Sequence, residues 1–307
     1  MTGGRVAIVG SLNADLVVRT ERRPGGGETV IGSDLAVGSG GKGANQAVAA
    51  ARLGAEVAML GALGDDAFGR RLRDAILAEG IDDSAVVPLP DTASGTAMII
   101  VDAAGENSIV VSPGANQRLS PAMVDERRSW FDGAAVLGLC LEVPVETVLA
   151  AARHGHAAGA TVIVNLSPFA PVPAELLALT DLLLVNEHEL ALLLDRTDRS
   201  WAERARALAE RGIGRAVVTL GSEGSVVLDP SYPEPTVTPI PAVRVTAVDT
   251  TGCGDAYTGS VAAALARGLP LTEAAAVASR VSAFAATRPG AQSSYPSRAE
   301  AAELAWA

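Results

Sequence analysis

The run Asp249-Thr-Thr-Gly-Cys-Gly-Asp255 sets Gly252 and Gly254 between two carboxylates. An apolar, Ala-rich stretch of helical period follows at once, with Ala256, Tyr257, Val261, Ala262 and Leu265. The glycines therefore fall where a loop becomes a helix. Unpaired N–H groups there, at the positive end of the helix dipole, form a site for phosphate. A carboxylate would repel that anion, so Asp255 needs another use: it takes the proton of a hydroxyl that attacks the phosphorus. The combination predicts phosphoryl transfer. The purely structural alternative is that Asp255 is a dipole partner in a first helical turn, worth roughly 0.3–1 kcal/mol, and that Gly-x-Gly is only a tight turn.

A second cluster, Gly38-Ser-Gly-Gly-Lys-Gly43, formally satisfies the dinucleotide pattern G-x-G-x-x-G. The strand before it (33–37) is weak, and the strand at 57–61 lacks a terminal acidic residue for a ribose. Nor is it a Walker loop, because Gly43 stands where Ser or Thr should follow Lys42. The better reading joins Gly41, Lys42 and Asn45 to Asn13 and Asp15, just after the first strand, and to Glu142 at the end of the strand that starts near Ala134. Ligands of open α/β sheets gather outside the carboxyl ends of strands, and these short donors and acceptors suit a polyhydroxylated ligand. For Asn13 and Asp15 the alternative is a turn with local side-chain caps.

Asn186-Glu-His-Glu189 reads as a capping box. Its functional version has Asn186 and Glu189 arranging water around the Mg²⁺ of a nucleotide, since Mg²⁺ prefers oxygen ligands and retains waters. His154, His156 and His188 share no metal spacing and read as surface residues.

The elements that must position these residues alternate. Strands are expected at 5–10, 57–61, 134–141, 162–165, 182–185 and 216–220, and helices at 44–53, 67–79, 145–158 and 203–210. Such alternation predicts a three-layer α/β fold with a mainly parallel sheet. Two segments break the rhythm: 16–19 with 35–37, and 96–101 with 108–111, the latter pair joined by a hairpin signal at 102–106. They predict a small antiparallel flap, able to cover a substrate or to pair with a second subunit through an open edge. No linker or repeat divides the chain, which reads as one domain over 1–307 with lid strands inserted near 15–38 and 96–111.

At 307 residues the chain can bury roughly three quarters of its unfolded surface without staples. It is 49% hydrophobic but 3% aromatic, which suits helices packed closely on a parallel sheet. A net charge of −11 argues against nucleic-acid or anionic-membrane surfaces, so an anion must be held by backbone dipoles and a metal. Cys140 and Cys253 form no disulfide or metal pattern; Cys140 reads as a buried small hydrophobe. Cys253, near a helix N-terminus, is expected to have a lowered thiol pKa and to be open to oxidation. Two thiols, a short apolar run after Met1 and no apolar run long enough to span a bilayer lead to the expectation of a cytoplasmic protein.

Together these residues resemble the ribokinase family of carbohydrate kinases, from Gly10-Ser-Leu-Asn-Ala-Asp15 to Pro289-Gly-Ala-Gln-Ser-Ser294. Gly40-Gly-Lys-Gly-Ala-Asn-Gln-Ala-Val-Ala-Ala50 is similar to that family's first signature, and Ser112-Pro-Gly-Ala-Asn116 and Thr287-Arg-Pro-Gly-Ala-Gln292 also resemble family segments. The resemblance implies a ribokinase-like α/β/α sandwich and transfer of phosphate from MgATP to the 5-hydroxyl of D-ribose, with Asp255 as base. It implies a sugar pocket of Asn13, Asp15, Gly41, Lys42, Asn45 and Glu142, and an anion hole from the amides of Gly252, Cys253 and Gly254. Asn186, Thr219, Gly221, Ser222, Gly224, Gly254 and Ser279 would lie along the nucleotide. An activating K⁺ would sit among Asp249, Thr251, Ala285, Arg288, Gly290 and Ser294, largely on backbone carbonyls, and a β lid would clasp a homodimer. Cys253 departs from the small Ala, Gly or Ser usual in that loop. The rivals are a kinase for a nucleoside, deoxyribose or hexose, a non-catalytic sugar- or nucleotide-binding protein, and a distant NAD-dependent oxidoreductase.

Overall fold

The structure, a computed structural model, describes residues 3–195, 200–230 and 234–306; Met1 and Thr2 of the N-terminal segment read above lie outside them. The first half of the chain runs β1 (Arg5–Val9), β2 (Asn13–Arg19), β3 (Ala36–Gly40), α1 (Lys42–Arg52), β4 (Val57–Leu60), β5 (Ala62–Gly64), α2 (Ala67–Ala78), β6 (Val87–Leu89), β7 (Gly95–Val101), β8 (Asn107–Ser112) and α3 (Pro121–Asp125). Strand and helix then alternate as β9 (Ala134–Cys140), α4 (Val145–Ala157), β10 (Thr161–Asn165), α5 (Ala174–Ala178), β11 (Leu182–Asn186), α6 (Glu187–Leu194), α7 (Trp201–Ala209) and β12 (Ala216–Thr219). The chain closes with β13 (Ser225–Asp229), β14 (Thr236–Ile240), α8 (Cys253–Ala266), α9 (Leu271–Ala286) and α10 (Arg298–Trp306).

Eight strands form the main sheet in the order β14-β13-β12-β11-β10-β9-β1-β4. All neighbours are parallel except the β12–β13 and β13–β14 pairs. Along β1 the side chains alternate between two cores: Val6 and Ile8 join α1, α8 and α9, whereas Ala7 and Val9 join α4, α6 and α7. Helices on both faces make the three-layer α/β/α sandwich. Among the described residues no helix is long and apolar enough to cross a membrane.

Sheet order fixes where a ligand can go. From β1 the chain moves outward to β4, and from β9 it moves the other way to β10, so the crevice outside β1 and β9 is the topological switch point. Two Ala-rich helices close on that crevice. Gly259 of α8 lies against the Gln46 backbone of α1, where a Cβ would come within 2.3 Å of the Gln46 carbonyl oxygen. This close approach lets the first turn of α1 reach the first turn of α8.

A separate four-stranded sheet, β3-β2-β7-β8, stands beside the switch point. The expected flap was antiparallel, but its central pair, β2 with β7, is parallel; only β2–β3 and β7–β8 are antiparallel. Asp15 of β2 pairs with Ala97 of β7, and strands 82 residues apart cannot share a hairpin; the parallel partner arrives through the intervening α2 unit.

Candidate active site

The first strand leads into Gly10-Ser11-Leu12, the turn before Asn13 opens β2, and α1 begins against that turn. Gly43 touches the Gly10 and Ser11 backbone, with room for no Cβ, and Gly41 takes φ +87° to turn the chain. These contacts bring Lys42 and Asn45 beside Asn13 and Asp15. From β9 comes Glu142, whose Oε2 accepts from the Ser11 hydroxyl at 2.5 Å, the Lys42 amide at 3.0 Å and, more weakly, the Asn13 amide at 3.5 Å. One oxygen thus pins the crevice and leaves Oε1 for a ligand. Asn116 does the same for Asn13: it brackets the Leu12 backbone through both amide atoms and donates to Asn13 Oδ1 at 2.7 Å.

On the opposite wall Asp255 lies in the first turn of α8, only 5% exposed. Asn45 Nδ2 donates to its Oδ2 at 3.0 Å and Gln46 Nε2 to its Oδ1 at 3.2 Å. The charge of Asp255 raises the Lys42 ammonium pKa, helped by Glu142 and opposed by burial. Burial, then the charges of Glu142 and Asp255, push the Asp15 carboxyl up to about 6.

That shift carries a prediction. Asp15 binds its proton more tightly folded than unfolded, so between its usual value near 4 and about 6 the native chain holds more protons, and apo stability rises as pH falls through that window. At pH 7 the ionised group costs stability. Asp15→Asn should therefore raise apo stability at pH 7 by about 1–3 kcal/mol in thermal or urea melts. It should also raise the KM for sugar by about tenfold to a hundredfold through loss of a charged acceptor. A variant less stable than the parent would contradict the burial argument.

α8 opens on Gly252 in the left-handed region, φ +74°, where a Cβ would strike Ala291 and the Tyr295 hydroxyl at 2.8 Å. The Cys253 amide bonds the Thr250 carbonyl at 3.2 Å, whereas no hydrogen bond among the described residues engages the amides of Gly252 and Gly254. The expectation of an acidified Cys253 thiol is overturned. Burial, then the charge of Asp249, raises it to about 11, so desolvation outweighs the helix dipole and the thiol is neutral. Cys140 is fully buried, as expected, and is pushed to about 12 by burial first and Glu142 next.

Beyond α8 opens a cavity of about 560 Å³. Thr219, Gly221, Ser222, Gly224 and Ser279 all line it, together with Cys253 and Gly254. Asn186 does not, although its register beside Thr219 puts it at the same sheet end. Asn186 and Glu189 form the capping box: Asn186 Oδ1 accepts from the Glu189 amide at 2.8 Å, and Glu189 Oε2 from the Asn186 amide at 2.9 Å. Among the described residues no three His, Cys, Asp or Glu side chains cluster to hold a metal. Sequence reasoning missed the segment 242–247, which supplies Arg244 and Val245 to this cavity, because it has no regular periodicity.

The remaining candidates meet in one loop pair. Asp249 accepts from the Thr251 amide at 2.9 Å and the Gly290 amide at 2.8 Å. Burial opposes its ionisation, but these amides prevail and its pKa is lowered. The amides of Val248 and Asp249 bond the Ala286 carbonyl, so the C-terminal end of α9, including Ala285, faces this loop. Ser294 is buried beside it; the Arg288 side chain turns away to Glu300 and the Phe284 ring.

A three-layer fold with a buried carboxylate at a helix N-terminus, a polar crevice on one side and a cavity of about 560 Å³ on the other fits a kinase for small hydroxylated substrates. The chain belongs to the pfkB family of carbohydrate kinases, whose family model matches residues 4–298. It is 38% identical to a ribokinase of Schizosaccharomyces pombe over 96% of each chain, and 36% identical to a deoxyribokinase of Salmonella typhi over 95% of each. It superposes with TM-score 0.89 on an Arabidopsis thaliana ribokinase complexed with ribose and ATP, at 31% identity over 98% of each chain.

Proposed function

We propose that this enzyme transfers the γ-phosphoryl group of ATP to the 5-hydroxyl of D-ribose, giving D-ribose 5-phosphate and ADP. The observation that carries the reading is the place of Asp255: buried, held by two amide donors, and set between the polar crevice and the cavity. The ribokinase relatives and the ribose–ATP complex support ribose as the acceptor. The deoxyribokinase makes 2-deoxyribose the rival.

In this reading Asn13, Asp15, Gly41, Lys42, Asn45 and Glu142 hold the sugar hydroxyls. Asp255 accepts the 5-hydroxyl proton as the O5–P bond forms and the bond to the β-phosphate oxygen breaks. The open amides of Gly252 and Gly254, with Cys253 between them, meet the charge on the moving phosphoryl group. Thr219, Gly221, Ser222, Gly224 and Ser279 lie along the nucleotide.

The Asn186 amide nitrogen and Glu189 Oε1 are the capping-box atoms left for water around Mg²⁺, which supplies charge neutralisation on the phosphates when bound. The ionised Asp249 and the carbonyl end of α9 suit a monovalent cation held with Thr251, Ala285, Arg288, Gly290 and Ser294; K⁺ there supplies positive charge beside the anion hole. ADP release with a panel of sugars, with and without K⁺, tests the reading.

The small sheet is proposed as lid and dimer clasp. Met98, Ile109, Val110 and Val111 are each about half exposed or more, an apolar patch that a monomer seldom leaves open. Light scattering should give twice the chain mass, and Val110→Asp should shift it toward one; a wild-type monomer at micromolar concentration would exclude the clasp.

A further inference from the structure

We infer that Gln292 is a positioning residue for the Asp255 carboxylate, acting through the Asn45 amide; the inference rests on the kinase reading above. An Asn amide has two orientations related by a half-turn. With its NH₂ toward Asp255, Asn45 donates at 3.0 Å; reversed, its carbonyl would face a carboxylate with no proton between them. Gln292 Nε2 donates to Asn45 Oδ1 at 3.0 Å, so a reversed Asn45 would set two NH₂ groups against each other there. Both ends of the amide reject the reversal.

Gln292 is itself held. Its carbonyl accepts from Arg52 Nη1 at 2.9 Å, and the same nitrogen reaches the Tyr295 carbonyl at 3.1 Å. Glu79 Oε1 fixes the guanidinium through Nε at 3.1 Å and Nη2 at 2.6 Å. Arg52 stands seven residues, about two turns, along α1 from Asn45, on the same face. One helix therefore anchors the Gln292 backbone with one side chain and receives its amide with another. The Tyr295 hydroxyl completes the frame by donating to the Gly252 carbonyl at 2.9 Å. The loop 290–295 thus sets both the orientation of the base's amide partner and the helix that carries the base.

The test is steady-state kinetics of Gln292→Leu and Gln292→Glu, each alone and with Asn45→Ala. Gln292→Leu removes the donor at similar volume; Gln292→Glu keeps the shape and presents an acceptor to Asn45 Oδ1. Gln46 remains as a donor to Asp255 in every variant, so turnover stays measurable. Either single variant should lower kcat by about tenfold to a hundredfold with the KM for ATP unchanged. In the Asn45→Ala background the same change should cost less than about twofold, because the path it acts through is gone. Wild-type kcat in both single variants, or their full cost persisting in the Asn45→Ala background, would overturn the inference. Melting curves identify a misfolded Gln292→Leu, in which case the isosteric Gln292→Glu decides alone. A wild-type enzyme silent toward every sugar would overturn the parent reading, and this one with it.

Discussion

Asp255→Asn should lower kcat by about 10²–10⁴-fold while ATP affinity stays within a few-fold. The Asp255 carboxylate lies beneath two donors, one on each oxygen, so the variant must place its own NH₂ against either Asn45 or Gln46. That clash costs some native stability, roughly 1–3 kcal/mol, and a melt measured alongside separates it from the chemical loss. The cavity is untouched by the change, since Asp255 does not line it, which is why nucleotide binding should persist. Near-normal turnover in a folded Asp255→Asn would remove Asp255 from the base role. A parallel loss of ATP affinity would make it a structural support of the helix start.

Gly254→Ala should separate stability from activity. A Cβ built at Gly254 meets no protein atom within 4 Å, and alanine is the better helix former by about 1 kcal/mol. The variant should melt at or above the wild-type temperature. Its methyl group nevertheless stands at the open first turn of α8, at the wall of the cavity, on the proposed path of the phosphoryl group. Turnover should fall about 10²-fold, on the scale of losing one oxyanion donor. Gly252→Ala is the contrast, because its positive φ and contacts at 2.8 Å predict unfolding of the loop as well. Full activity in Gly254→Ala would show that the space before Gly254 is not where the phosphate travels.

Much of this site is legible in sequence, for a local reason. The glycines at 41, 43, 252 and 254 mark tight approach or open amides within a few residues of the groups they present, so the loops of α1 and α8 announce themselves. The alternation after Ala134 is equally local, and strands β9 to β12 lie where the hydrophobic runs place them. What distance determines is not legible. The parallel β2–β7 pairing joins segments about eighty residues apart, and no hairpin signal announces it. The β13–β14 ribbon rests on pairing with β12 across the turn that ends at Gly224. The acidity of Cys253 depends on burial and on the Asp249 charge, both tertiary, and they reverse the local dipole argument. Gln46, Asn116 and Gln292 look like ordinary amides in the sequence; their roles come from the acceptors brought to them by the packing of α1, α8 and the closing loop.

The most direct test of the central claim is ADP release from MgATP with D-ribose, 2-deoxyribose, hexoses and nucleosides, with and without K⁺, for the wild type and Asp255→Asn. Strong release with ribose, raised by K⁺ and lost in Asp255→Asn, is the predicted result. Silence with ribose, or release that survives in Asp255→Asn, would contradict it.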